Sequence, residues 1–142
     1  MCPSEEEDRF HVAATASTVA GTRVLKHNDT FAVLNRLGDI DAAAGGHQGI
    51  YHSGTKFVSR FRTRMNGRPM LPLSSSMPRS NVVLEVDLTN PDIFDENERL
   101  LVPYGSVHVS RSTFLRDDVW FQRFQLSNYG REPVSLQLTI EF

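Results

Sequence analysis

Hydrophobic and polar residues alternate through most of this chain, and a period of two is the signature of strands with one buried face. The clearest run is 81–89, where Val82, Leu84, Val86 and Leu88 point one way and Val83, Glu85 and Asp87 the other. Val134, Leu136, Leu138 and Ile140 alternate in the same manner with Ser135, Gln137, Thr139 and Glu141. Two further runs, 106–114 and 119–127, flank Leu115-Arg116-Asp117-Asp118, a polar turn of hairpin length. Residues 57–65 read as one strand ended by Asn66-Gly67, the strongest short hairpin signal in the chain. That strand puts Phe57, Phe61 and Met65 on one face with Ser59 and Thr63, and puts Arg60, Arg62 and Arg64 on the other after Val58. Shorter strands are expected over 10–16, 22–26 and 30–35. The one helical turn expected is at Asn90-Pro91-Asp92, which opens like an N-cap.

These elements predict an all-β domain of about eight or nine strands, an antiparallel two-sheet sandwich with little or no helix. A chain of 142 residues fits one such domain and needs no second core. Residues 1–9 are expected to be a disordered acidic N-terminus, since the consecutive acids of MCPSEEED repel one another and bring little apolar area to bury. The β-sandwich is then expected over 10–142. Its last strand still alternates at Phe142, which predicts truncation at the C-terminal end.

Charge narrows the function classes. Seventeen acids against 15 bases give a formal charge of −2, which argues against nucleic acid as a partner, because phosphate binding requires concentrated positive charge. No apolar run approaches the roughly 20 residues that span a bilayer, and the acidic start lacks the parts of a signal peptide. The expectation is a cytoplasmic protein with no membrane partner. A single Cys2 cannot form an internal disulfide. Asn28-Asp29-Thr30 matches a glycosylation acceptor, but with no secretion signal the match reads as chance.

Candidate chemistry concentrates between Leu25 and Phe61, where acids, amides, histidines and glycines crowd between apolar runs. Gly49-Ile50-Tyr51-His52-Ser53-Gly54-Thr55-Lys56 approaches a phosphate-cradling loop, yet its last two residues stand in the wrong order and a strand follows where that loop needs a helix. A glycine-rich loop entering a strand is the simpler reading. His27, Asp29, His47 and His52 lack the tight ligand spacing of a zinc site, so no metal or other cofactor is expected. Asp29, Asp39 and Asp41 are candidate paired carboxylates for glycoside hydrolysis. Against that, Asp29 reads as closing a turn and Asp39 as ending a strand. The Arg60, Arg62, Arg64 stripe binds phosphate or, more commonly, pairs with acids on a neighbouring strand or domain. Trp120 and Phe124 share a face and are read as core rather than as a sugar-stacking platform. No complete catalytic constellation is present, and no catalytic residue is assigned.

Four segments carry a resemblance: HNDTFAVLNRLGDI at 27–40, GIYHSGTKFVSRF at 49–61, VDLTNPDI at 86–93 and LSNYGREPVSLQLTIEF at 126–142. In order and spacing they resemble the N-terminal domain of bacterial glycogen debranching enzyme-like proteins of the amylo-α-1,6-glucosidase type. The resemblance implies a supersandwich-like β domain preceding an (α/α)-toroid that holds the catalytic carboxylates. It therefore implies a chain that is not catalytic by itself and whose partners are the toroid of the same protein and an α-glucan. Within that picture Asp29, Asn35, Arg36, Asp39, Tyr51 and His52 are the expected polar contacts to glucan, carried on a loop over 28–55, although Ala42-Ala43-Ala44 is a bland tip for such a loop. The competing readings are a stand-alone carbohydrate-binding module and a protein-interaction module, with a homodimer formed through an exposed strand edge.

Overall fold

A computed structural model describes residues 21–41, 46–78 and 82–142. The acidic N-terminus, the strand expected over 10–16 and the Ala42-Ala43-Ala44 tip lie outside the described residues. Thirteen strands and no helix occur among the described residues. In chain order they are β1 (Arg23–His27), β2 (Thr30–Leu34), β3 (Ile40–Asp41), β4 (Gly49–His52), β5 (Thr55–Val58), β6 (Arg60–Met65), β7 (Leu71–Ser76), β8 (Val83–Thr89), β9 (Ile93–Phe94), β10 (Leu100–Val102), β11 (Val107–Arg116), β12 (Val119–Asn128) and β13 (Leu138–Glu141).

They assemble antiparallel into sheets of order β1-β2-β4-β5, β12-β11-β8-β7 and β13-β6-β3, with β9 and β10 paired as a separate hairpin. The sheets form no barrel, and the arrangement is an all-β sandwich. In the first sheet Leu25, Ala32 and Ile50 are successive cross-strand neighbours and all are buried. Facing them, β8 buries Leu84, Val86 and Leu88, and β11 buries every second residue from Val107 to Leu115. β1 packs across both β8 and β11, so the two inner faces share one core. Ile40, Phe61 and Met65 of the three-stranded sheet close it. Each such Leu, Ile, Val, Phe or Met contributes about 1.5–3 kcal/mol by leaving water.

Three hairpins turn on pairs of residues with positive φ: Ser53-Gly54, Asn66-Gly67 and Asp117-Asp118. Two-residue turns of this hand match the twist of the strands they join. Asn66-Gly67 closes tightly, with Met65 and Arg68 exchanging both backbone hydrogen bonds at 2.8 and 3.0 Å.

The structure corrects several expectations. Residues 57–65 are not one strand: the chain breaks at Ser59, with β5 in one sheet and β6 in another. Between β4 and β5 the register jumps from Ile50↔Val58 to Tyr51↔Lys56, leaving Phe57 as the extra residue of a bulge. A bulge resets the alternation. Phe57 is therefore 68% exposed, whereas Phe61, Thr63 and Met65, which the alternation put on the same face, are buried. Gly49 sits against this bulge, where an added Cβ would lie 2.7 Å from the Val58 carbonyl oxygen. The supposed loop over 28–55 contains β3 and β4 as well as the expected strand β2, and the glycine-rich segment is a hairpin. Only 138–141 of the final alternating run pairs as a strand, because β6 offers partners to those residues alone. β3, β4, β7, β9 and β10 were not expected, and with the division of 57–65 into β5 and β6 they raise the strand number above eight or nine.

Asn90 opens no helix. Its side chain is fully buried, with Nδ2 donating to the carbonyls of Pro91 (2.8 Å) and Pro103 (2.9 Å) and Oδ1 accepting from the Val107 amide (2.8 Å). The asparagine thus pins the base of the β9–β10 hairpin to the start of β11.

Candidate functional site

Arg111 organises the region that holds half of the predicted site. It lies on the inner face of β11 with its side chain wholly buried, and a guanidinium in that position requires partners for its five donors. Nε donates to Gln122 Oε1 at 2.9 Å, and Nη2 to the Gly38 carbonyl at 2.7 Å. Nη1 donates to Asp39 Oδ1 at 2.6 Å, to the Leu37 carbonyl at 2.7 Å and to Thr63 Oγ1 at 3.2 Å. The carbonyls are aimed by Asn35, whose Oδ1 accepts the amides of Leu37 (2.9 Å) and Asp39 (3.0 Å). Gly38 has φ +84°, and a Cβ there would stand 3.2 Å from the guanidinium carbon. Phe61 and Phe124 place their rings 5.6 and 5.3 Å from that carbon, within cation–π range. Burial holds the Arg111 pKa below its ordinary value, and Asp39 opposes that shift without reversing it. Asn35 and Asp39 are therefore built into the Arg111 cage.

Asp29, Tyr51 and His52 lie at the other end of β2. Asp29 belongs to the β1–β2 turn, and its carbonyl accepts the Ser53 amide at 3.0 Å. Tyr51 stacks on Phe31 with ring centroids 4.7 Å apart, and its hydroxyl donates to the His47 carbonyl at 2.8 Å. Lys56 Nζ lies 5.2 Å from the Tyr51 ring centre. His52 Nδ1 is 2.8 Å from the buried Thr30 hydroxyl, which in turn donates to Asp118 Oδ1 at 2.8 Å. A hydroxyl has one proton, so Nδ1 of His52 must carry a hydrogen and donate it. Arg36 is exposed beyond the far end of β2, beside a pocket of about 320 Å³ lined by Leu37, Pro72 and Leu73. The six predicted residues thus fall into two groups at opposite ends of β2 and do not converge on one surface.

The arginine stripe on β6 pairs with acids of the neighbouring strands. Arg62 meets Asp41 of β3 at 2.6 Å, and Arg60 and Arg64 each lie 3.5 Å from Glu141 of β13. The hydrogen bond that Arg62 donates to Asp41 raises the Arg62 pKa. Trp120 and Phe124 lie on the inner side of β12, and Trp120 meets Phe61 edge-on at 4.5 Å. Among the described residues, no three His, Cys, Asp or Glu side chains converge as a metal site would require.

A larger opening lies elsewhere. A cleft of about 740 Å³ separates the β9–β10 hairpin, which supplies Ile93, Phe94, Asp95 and Glu98, from Asn66, Arg68 and Gln137. Its second wall is rigid, because Gln137 and Asn66 are clipped by two hydrogen bonds of 2.8 Å, one from the Gln137 amide to Asn66 Oδ1 and one from the Asn66 amide to the Gln137 carbonyl. On the first wall Asp95 Oδ1 accepts the amides of Asn97 (2.8 Å) and Arg99 (2.9 Å), ordering the turn. That turn holds Glu98 at φ +61°, a conformation a glycine would adopt without strain.

Residues 25–142 match the family model described as the N-terminal domain of (some) glycogen debranching enzymes. The chain belongs to this family. No curated protein and no solved structure matches it.

In this debranching-enzyme domain the cleft residues escaped sequence reasoning although one of their signals was visible. Asn66-Gly67 announces a turn, but nothing in its spacing shows that Gln137 lies against it. Asp95 to Arg99 reads as polar loop, and only the pairing of β9 with β10 gives it a wall to form. No helix among the described residues is long and apolar enough to cross a membrane.

Proposed function

We propose that this chain is the non-catalytic β part of a cytoplasmic glycoside hydrolase of carbohydrate metabolism, acting on α-glucan branches beside an (α/α)-toroid that carries the catalytic carboxylates. Family membership supports the setting. The observation that carries the supporting role is the commitment of two of the three candidate carboxylates and of the acid beside them on β13: Asp39 is bound to a buried arginine, Asp41 to Arg62, and Glu141 to Arg60 and Arg64. Hydrolysis needs one carboxylate free to give a proton and another free to attack or to activate water. Exposed apolar residues on the outermost strands, among them Leu126 and Ile140, are of the kind a partner domain covers.

The test compares three proteins on a branched limit dextrin: the 142-residue chain, the toroid-containing protein, and that protein lacking this domain. Release of sugar by the toroid-containing protein, none by the chain alone, and a lower melting temperature after deletion are expected. Turnover by the chain alone, abolished by substituting one of its own carboxylates, would overturn the reading.

A further inference from the structure

We propose that the cleft between the Asn66-Gly67 turn and the β9–β10 hairpin binds a neutral oligosaccharide, which on the functional reading above is a segment of α-glucan chain. Its volume of about 740 Å³ falls within the range of small-molecule sites, about 300–1,000 Å³. The lining has the two chemistries a sugar ring presents. Phe94 is 48% exposed and offers an apolar surface for the C–H face of a pyranose. Around it stand carboxylates that accept from hydroxyls, a guanidinium that donates, and amides that do both. Sugar hydroxyls give and take hydrogen bonds and therefore satisfy all three.

The polar groups are also free to serve. Among the described residues, no hydrogen bond or ion pair engages the side chains of Arg68, Glu98 or Gln137, while the backbone beneath them is fixed by the Asn66–Gln137 clip and by Asp95. Glu98 in particular is held in a left-handed conformation that disfavours any residue with a Cβ. Strain of this sort persists where the surrounding structure fixes it, and it collects at binding sites. Charge selects against the main alternative: two carboxylates against one guanidinium repel a phosphate or another polyanion and leave an uncharged polyol as the fitting ligand.

Maltoheptaose titrated into the 142-residue chain, followed by calorimetry and by backbone amide shifts, tests the site. Saturable binding is expected, with perturbations gathered at 66–68, 94–98 and 137. Phe94→Ala and Glu98→Gln should each weaken binding by about tenfold, the size of one lost contact to a charged or aromatic group. Tyr129→Ala, an exposed aromatic on another edge, should leave affinity unchanged. Both site residues are exposed, and melting curves establish that the variants fold. Absence of binding, binding that survives both substitutions, abolition by Tyr51→Ala alone, or saturable binding of inorganic phosphate in place of the sugar would each overturn the proposal. Failure here, with the toroid-containing protein still debranching, removes the cleft and leaves the proposed function standing. Hydrolysis by the chain alone removes that function and leaves the cleft.

Discussion

Arg111 Nη1 lies 2.6 Å from Asp39 Oδ1 across 72 residues of sequence, and the guanidinium is wholly inaccessible to water. The contact joins β11 of one sheet to the turn that enters β3 of another. Removing one partner strands the other charge in the core, so Asp39→Ala should cost about 3–5 kcal/mol. Burial lowers the Arg111 pKa more than Asp39 raises it, so the pair sits in a site where desolvation is a substantial cost. An apolar replacement of both residues, Arg111→Met with Asp39→Leu, removes the stranded charge at the cost of the donors to the Leu37 and Gly38 carbonyls, and should be less damaging than Asp39→Ala alone. Urea midpoints for Asp39→Ala and the double variant measure this, and a double variant no more stable than Asp39→Ala would contradict it.

Asn90 gives a second test of buried polarity. Its amide makes three hydrogen bonds that pin the β9–β10 hairpin. At about 1 kcal/mol each, Asn90→Ala should destabilise by about 3 kcal/mol and speed amide exchange across 93–102. Asn90→Asp turns an oxygen toward the carbonyls of Pro91 and Pro103, which raises the carboxyl's folded pKa above its unfolded value. Stability of that variant should be greatest below about pH 4 and be lost as pH rises through the folded pKa. A urea midpoint that does not change with pH relative to the parent chain would count against this geometry.

Thr30 carries the link between the first sheet and the β11–β12 turn through His52 and Asp118. Thr30→Val keeps the β-branched shape and removes only the hydroxyl. Loss of two hydrogen bonds to half-exposed partners should cost about 1–2 kcal/mol. Thr30→Ser should restore most of the loss, and thermal melts of the pair decide whether the hydroxyl or the methyl matters.

How far the fold was legible depends on whether alternation was local. Val82 to Leu88 and the 106–127 hairpin announced themselves because each strand's partner follows closely or its buried face is uninterrupted. Phe57 misled because it is the extra residue of a bulge and the chain changes sheets just after it, and that bulge depends on the close approach of Gly49 on the neighbouring strand, which the 57–65 alternation does not report. Asp39 was singled out for its polarity, but its partner Arg111 reads in sequence as one more residue of an alternating strand. A cation on the inner face among Val109, Thr113 and Leu115 was the available signal. The stacked pair Phe31–Tyr51 and the cleft walls depend on cross-strand register and on chain segments far apart, neither of which periodicity reports.

Glu98 separates stability from binding. In the turn after β9 the residue at φ +61° is ordinarily a glycine, and a side chain in this conformation costs about 1–2 kcal/mol. Glu98→Gly should therefore raise stability by about 1 kcal/mol, somewhat less than the full cost because glycine loses more freedom on folding. The same change removes a carboxylate from the cleft. If that carboxylate contacts sugar, Glu98→Gly gains in urea midpoint and loses affinity for maltoheptaose, whereas Glu98→Gln keeps the strained backbone and loses affinity alone. Comparing the two variants isolates backbone strain from side-chain chemistry. A Glu98→Gly chain that is more stable and binds as well as the parent would show that the strain serves no ligand.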